Sequence, residues 1–227
     1  MKALLASIAI TLLAAPAFAV LGLPYADDAT TRQGEIGVTG SATFESDVNL
    51  YGVRGSYGII DGLSIFLGGG LVDPDEGSVD SEPFVQVGGT FTLPLELPVD
   101  LALRGSFGMA SFEAKESASG PGWSVSAKGD LDIWTLNAGV LASMAVDPMI
   151  TVYGFGGISY QNTKMKIRYT ETFLGISDSG SMSESDTDTE LAIAGGGMFH
   201  LNENITLGAE ISHIDDTFIS VYGRFTL

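Results

Sequence analysis

From Gly34 to Leu227, apolar and polar side chains alternate with a period of two, broken only at short clusters of Gly, Pro, Asp and Asn. Segment 34–45 puts Ile36, Val38, Ala42 and Phe44 on one face and Glu35, Thr39, Ser41 and Thr43 on the other. Segment 47–60 sets Tyr51, Val53, Tyr57 and Ile59 against Leu50, Arg54 and Ser56. The same apolar face continues through Leu63, Ile65, Leu67 and Leu71 of 63–72, and through Val85, Val87, Phe91 and Leu93 of 83–93. In 99–115, Leu101, Leu103, Phe107 and Met109 oppose Arg104, Ser106 and Ala110. Segment 123–146 has the clearest face: Trp134, Leu136, Ala138, Val140, Ala142, Met144 and Val146. Segment 150–171 is two-sided, because Tyr153 and Phe155 oppose Val152, Ile158 and Tyr160. Segments 190–201, 205–214 and 218–227 complete about ten predicted strands, with eight and twelve as the neighbouring even counts.

The connections sort by parity. Those after even-numbered strands (Asp61-Gly62, 94–98, Asp147-Pro148 and 202–204) are short, whereas those after odd-numbered strands include the polar loops expected at 73–81, 117–122 and 177–189. Short turns at one end and long loops at the other predict an all-β, transmembrane, antiparallel up-and-down β-barrel with both termini in the periplasm. A soluble lipocalin-like barrel would turn its apolar face inward and carry many charges outside. Here the second face is mostly Ser, Thr, Gly and Ala, which suits a filled lumen.

The last segment, F-I-S-V-Y-G-R-F-T-L, alternates to its final residue, with Ile219, Val221, Phe225 and Leu227 on the apolar side. Such a strand is an aggregation hazard in water, yet it closes a barrel in lipid. Its Phe225-x-Leu227 ending resembles the closing strand of bacterial outer-membrane barrels, with Leu where a terminal Phe is usual. The chain thereby resembles the small outer membrane protein A/X-like barrel family. That resemblance implies a porin-like integral protein of the Gram-negative outer membrane, a monomer with a structural or surface-interaction role. It also implies that Phe225 and Leu227 form the signal read by the barrel-assembly machinery.

Composition sharpens this picture. The 227 residues carry 28 Asp+Glu against 10 Lys+Arg, a net charge of −18, alongside a positive mean hydropathy. The two coexist only if charge and apolar surface are segregated along the chain. The acidity excludes nucleic acid, whose phosphates need Lys and Arg. Cysteine is absent, so there is no disulfide or thiolate chemistry. At the N-terminus, Lys2, the apolar run 3–15 and Ala17-Phe18-Ala19 read as a signal peptide cleaved after Ala19. An N-terminal arm at 20–33 and the barrel at 34–227 follow. No segment of different pattern comes after the last strand, so no peptidoglycan-binding domain is expected.

Strand parity places the candidate chemistry. Glu35, Arg54, Arg104, Glu190, Glu210 and Arg224 fall on the small-polar face and predict a lumen charge network, with Arg224 beside Glu35 where the last strand meets the first. Such a network would leave the lumen charged and mostly closed; a narrow passive pore is the alternative. Lys115, Lys128, Lys164, Lys166 and Arg168 have outward parity beyond Trp134 and Tyr160, which read as an interfacial aromatic girdle. Cations above a girdle are placed to contact lipopolysaccharide phosphates. The acidic clusters, Asp73, Asp75, Glu76 and Asp80 in one loop and Asp178, Glu184, Asp186 and Asp188 in another, read as solvated. Asp73-x-Asp75-x-Gly77 echoes a calcium loop but lacks its bidentate Glu, so no metal or cofactor is expected. A hydrolase built on His213 is disfavoured, because Ser212 and His213 are adjacent in a strand and point to opposite faces. His200 has no evident partner. Gly195-Gly196-Gly197 lies within a strand and reads as close packing, not a phosphate loop.

Overall fold

The computed structural model describes residues 29–45, 48–74 and 81–227. The expected signal peptide, the first part of the arm and the Asp75–Asp80 portion of the first acidic cluster lie outside the described residues. Among the described residues ten strands form: β1 (Ile36–Phe44), β2 (Val48–Ile60), β3 (Leu63–Pro74), β4 (Glu82–Thr92), β5 (Asp100–Gly120), β6 (Trp123–Asp147), β7 (Ile150–Phe173), β8 (Ile176–His200), β9 (Ile205–Ile214) and β10 (Asp216–Thr226). Each pairs antiparallel with its chain neighbours. β10 returns to β1, from Gly37↔Thr226 to Phe44↔Ile219, so the sheet is a closed barrel. Over the stretch where all ten strands are paired, closure leaves no sheet edge and satisfies the backbone internally, which is what a hydrocarbon surrounding demands. The apolar parity faces outward throughout: Leu67, Leu191, Ile211 and Val53 are all more than half exposed.

Two predicted loops are strands. Residues 177–189 belong to β8, and 117–120 to β5. The connections there shrink to Leu174-Gly175 and Pro121-Gly122, with Gly175 and Gly122 at φ 85° and 78°. Segment 177–189 alternates hydroxyl side chains with Asp, Glu, Gly and Met, so it has period two without an apolar face. It is held as a strand by backbone pairing to β7, from Phe173↔Ile176 to Tyr160↔Thr189. The asymmetry between the two ends therefore lies in strand length more than in loop length: β5 to β8 span 21 to 25 residues, against 9 for β1 and 10 for β9. β4 pairs with β5 only as far as Phe84↔Ala110, and β9 with β8 only as far as Ile193↔His213. Past those points β5–β8 stand above the barrel as a four-stranded projection.

The interior is layered. At the short-turn end the arm folds into the lumen: Ala29 is fully buried, its N–H donates to Ser143 Oγ at 3.1 Å, and its carbonyl accepts from Thr92 Oγ1. Gly62 N–H donates to the Thr31 carbonyl at 2.8 Å, so five residues of the arm are part of the barrel's packing rather than a loose leader. The middle is polar, with Arg54, Gln86, Thr90, Arg104, Thr135, Asn137 and Glu210 all buried. At the extended end Val48, Leu50, Val72 and Phe84 meet Phe112, Leu131, Ile133, Met165 and Ile167 in one apolar cluster. That cluster packs the inner face of the projection onto the ends of β2–β4.

Glycines inside the strands make room for lumenal aromatic rings. A Cβ on Gly208 would run into the Tyr222 ring, its direct cross-strand partner, and one on Gly196 into Tyr153. Phe66 over Gly88 repeats the arrangement in the lumen, and Tyr169 over Gly180 has the same form on the inner face of the projection. A narrow barrel cannot hold two full side chains at each such pair; one ring and no partner side chain fill the space.

Candidate functional surfaces

The lumenal charges fall into local groups. Arg224 Nη2 donates to Glu35 Oε1 at 2.8 Å, with the two side chains 11 % and 21 % exposed. β1 and β10 bring them together at the short-turn end of the seam, where Thr39 faces Arg224 in register. Deeper in, the guanidinium groups of Arg54 and Arg104 both lie on Phe66, 5.2 and 4.5 Å from the ring centroid. Cations stacked on an aromatic ring in a water-poor space gain favourable quadrupole interaction. Across the lumen, Tyr153 donates its hydroxyl to Glu210 Oε2 at 2.7 Å, and Tyr222 donates to Tyr153 at 3.4 Å. Glu190 is half-buried on the lumen side of β8, opposite Ser159, and apart from these groups. The stack on Phe66 and the tyrosine link are not visible in a sequence, because parity tells which residues face inward and not which ones meet.

The outward cations form a ladder on the projection. Lys115, Lys128 and Arg168 are direct cross-strand partners on β5, β6 and β7. One rung nearer the barrel stand Glu113, Asp130 and Lys166, and on the next Ser111, Asp132 and Lys164. Glu113 bridges Lys115 and Lys128, while Asp130 takes Arg168 at 2.5 Å and Lys128 at 3.4 Å. Lys115, and after it Lys128, hold the Glu113 carboxyl down from its ordinary 4.5 to about 2. Lys164 and Lys166 make no ion pair among the described residues. Five cations against three carboxylates leave this face positive on a strongly acidic chain. Above the cations the face becomes hydroxylated: Ser117, Ser126, Thr170 and Ser179 share one rung, and a groove lined by Lys115, Lys128 and Arg168 runs into it.

Below the cations, Trp134 stacks between Phe107 and Tyr160, with centroids 6.1 and 5.2 Å away. A second set of outward aromatics, Tyr57, Phe91, Phe199 and Phe225, marks the short-turn end. The sequence held the signal for this lower girdle, aromatics on the apolar face beside each short turn, but only the closed barrel puts them at one level. Phe225 pairs with Val38 and Ile205 within the seam, and Leu227 exchanges backbone hydrogen bonds with Ile36.

The two histidines are far from one another in role. His200 contacts Thr151 and Thr206 hydroxyls, both at 3.0 Å, so it has partners that the sequence did not reveal. His213 faces outward at the rim, 3.2 Å from Thr217 Oγ1, while Ser212 is buried on the lumen side. Among the described residues no group of three His, Asp or Glu is placed to hold a metal ion.

The sequence matches the family model described as outer membrane protein beta-barrel domain over residues 5–222. A comparison with curated proteins finds no match. Among solved structures, the N-terminal β-barrel domain of OprF from Pseudomonas aeruginosa is similar at 11 % identity and a TM-score of 0.39, covering 87 % of this chain and 100 % of that one. Ail of Yersinia pestis in a nanodisc is similar at 11 % identity and a TM-score of 0.40, covering 86 % and 100 %. The translocator domain of the autotransporter NalP from Neisseria meningitidis is similar at 13 % identity and a TM-score of 0.47, covering 97 % and 95 %. With a family match over nearly its whole length and ten antiparallel strands closed into a ring with a lipid-type exterior, the chain belongs to the outer membrane β-barrel family and is an integral barrel of the bacterial outer membrane.

Proposed function

We propose that this barrel is a non-conducting mount for a surface-exposed sheet, with a structural and surface-contact role and no enzymatic one. The apolar cluster at the extended end carries the reading. Phe112, Leu131, Ile133, Met165 and Ile167 reach from the projection to Val48, Leu50, Val72 and Phe84 on the opposite wall. An ion would have to shed its water to pass such packing. The arm at the other end and the charged middle layer add to the obstruction. The short turns and both termini then lie in the periplasm, and the projection of β5–β8 lies outside the cell. Planar-bilayer recording tests the closed lumen: the purified barrel is expected to give no stable unitary conductance. Steady channels would favour the narrow-pore reading. The outward direction of His213 and inward direction of Ser212 oppose a hydrolase, and a His213→Ala variant is expected to leave any hydrolytic activity of a preparation unchanged.

A second reading concerns the leaflet around the projection. The Lys115–Lys128–Arg168 rung, with Lys164 and Lys166, which have no ion pair among the described residues, stands just above the Trp134–Tyr160 girdle, facing away from the barrel. Phosphates of outer-leaflet lipopolysaccharide fit cations at that height and direction. Replacing the four lysines with Gln is expected to cut co-purifying lipopolysaccharide several-fold and to lower barrel stability in lipopolysaccharide-containing bilayers. Unchanged retention and stability would refute the contact.

A further inference from the structure

The far end of the projection is apolar. Trp123, Phe173, Leu174 and Ile176 are 42, 63, 73 and 77 % exposed, and the last two are the most exposed large hydrophobic side chains described. They belong to two hairpin tips that are tied into one. Trp123 pairs with Phe173 and Phe173 with Ile176, so three of the four share a rung, and Leu174 N–H donates to the Gly122 carbonyl at 2.8 Å. The Leu174-Gly175 turn has φ of 47° and 85°, the pair of positive values of a tight hairpin turn. Asn, Asp or Gly suits its first position; a leucine there is strained, and its side chain is mostly exposed.

Strand geometry sets the height of this tip. Trp123 is about 11 residues along β6 from Trp134, which at ~3.3 Å per residue and a ~40° tilt is about 28 Å above the girdle. The tip is therefore out of reach of the barrel's own hydrocarbon layer. A second copy of the chain is a poor occupant, because four convex side chains fall well short of the roughly 800 Å² per partner of a stable interface. A bilayer asks for less: a few apolar side chains immersed by roughly 5–10 Å, with Trp and Phe at the headgroup level. The charges nearest the tip are Glu171 and Asp178, partners on the rung below, while the cations Lys115, Lys128 and Arg168 sit further down. An apolar tip with acids behind it suits a zwitterionic surface and is repelled by an anionic one.

We propose that Trp123, Phe173, Leu174 and Ile176 form an insertion tip for the zwitterionic lipid surface of a membrane facing the cell. The inference rests on the external orientation of β5–β8. That orientation is checked separately by labelling Ser119→Cys, the sole cysteine of such a variant, with an impermeant maleimide on whole cells. Labelling only after lysis would overturn the orientation and leave the lipid measurement readable by itself.

The lipid test uses the barrel in nanodiscs, with Trp134→Phe so that Trp123 is the only tryptophan. Added vesicles of brominated phosphatidylcholine are expected to quench Trp123 and to carry the nanodiscs upward on flotation; phosphatidylglycerol vesicles should bind several-fold less. Leu174→Asn combined with Ile176→Thr should lower phosphatidylcholine binding at least tenfold while leaving the fold intact, since Asn accepts the turn geometry. Absent quenching by phosphatidylcholine, or binding unchanged in the double variant, would overturn the proposal. So would quenching that depends on protein concentration without vesicles, which would assign the tip to a second copy.

Discussion

Arg224 and Glu35 stand 189 positions apart in the chain and 2.8 Å apart in space. Their side chains are mostly buried, so reversing one charge leaves two carboxylates facing each other in a place with little water. Arg224→Glu is expected to destabilise the barrel by about 1–3 kcal/mol, below the full cost of a broken buried pair because the side chains keep 11 % and 21 % of their exposure. The double reversal, Arg224→Glu with Glu35→Arg, should recover most of the loss. Urea unfolding midpoints in lipid measure both; a single reversal with the parent midpoint would dismiss the pair as a stabilising contact. The pair was legible because closure makes the last strand the neighbour of the first, and parity put both residues inside. The stack of Arg54 and Arg104 on Phe66 was not legible, since it depends on the registers of the β2–β3, β3–β4 and β4–β5 pairs. Glycine has the same status: Gly196 could be read as a site of close packing, but the ring that packs on it, Tyr153, is 43 positions away and is chosen by register.

At the scale of elements, the strands with an apolar face were readable almost to their ends, and β9 was read as it stands. The polar end of β5, residues 117–120, and the polar half of β8, residues 177–189, were not. A strand's apolar face is a record of its contact with lipid, and above the membrane that contact is gone; Ser and Thr alternating with acids look like a loop. Pairing supplies the order instead, as Lys115, Lys128 and Arg168 show by meeting on one rung. Their ion pairs have a pH signature. Glu113 is held down from 4.5 to about 2, chiefly by Lys115, so its contribution to the projection is complete above pH 4.5 and is lost as pH falls through about 2. Carbon-13 NMR of the Glu113 carboxyl should show a midpoint near 2 that climbs toward 4.5 in Lys115→Gln with Lys128→Gln. A parent midpoint already at 4.5 would mean that these contacts do not persist in solution.

For the whole molecule, alternation along the chain was enough to define the class of object: an even set of antiparallel strands, outward apolar faces, inward small polar ones, and one end more elaborate than the other. Those properties are local, because the period of two belongs to the extended backbone and a lipid exterior repeats it on every strand. How the barrel is filled and what stands on it emerge once the strands are paired and closed. The apolar packing at its mouth, the arm folded into its base and the four-stranded projection with its exposed tip each join residues from several strands. Register between distant segments controls such contacts, and alternation along one segment carries no record of register.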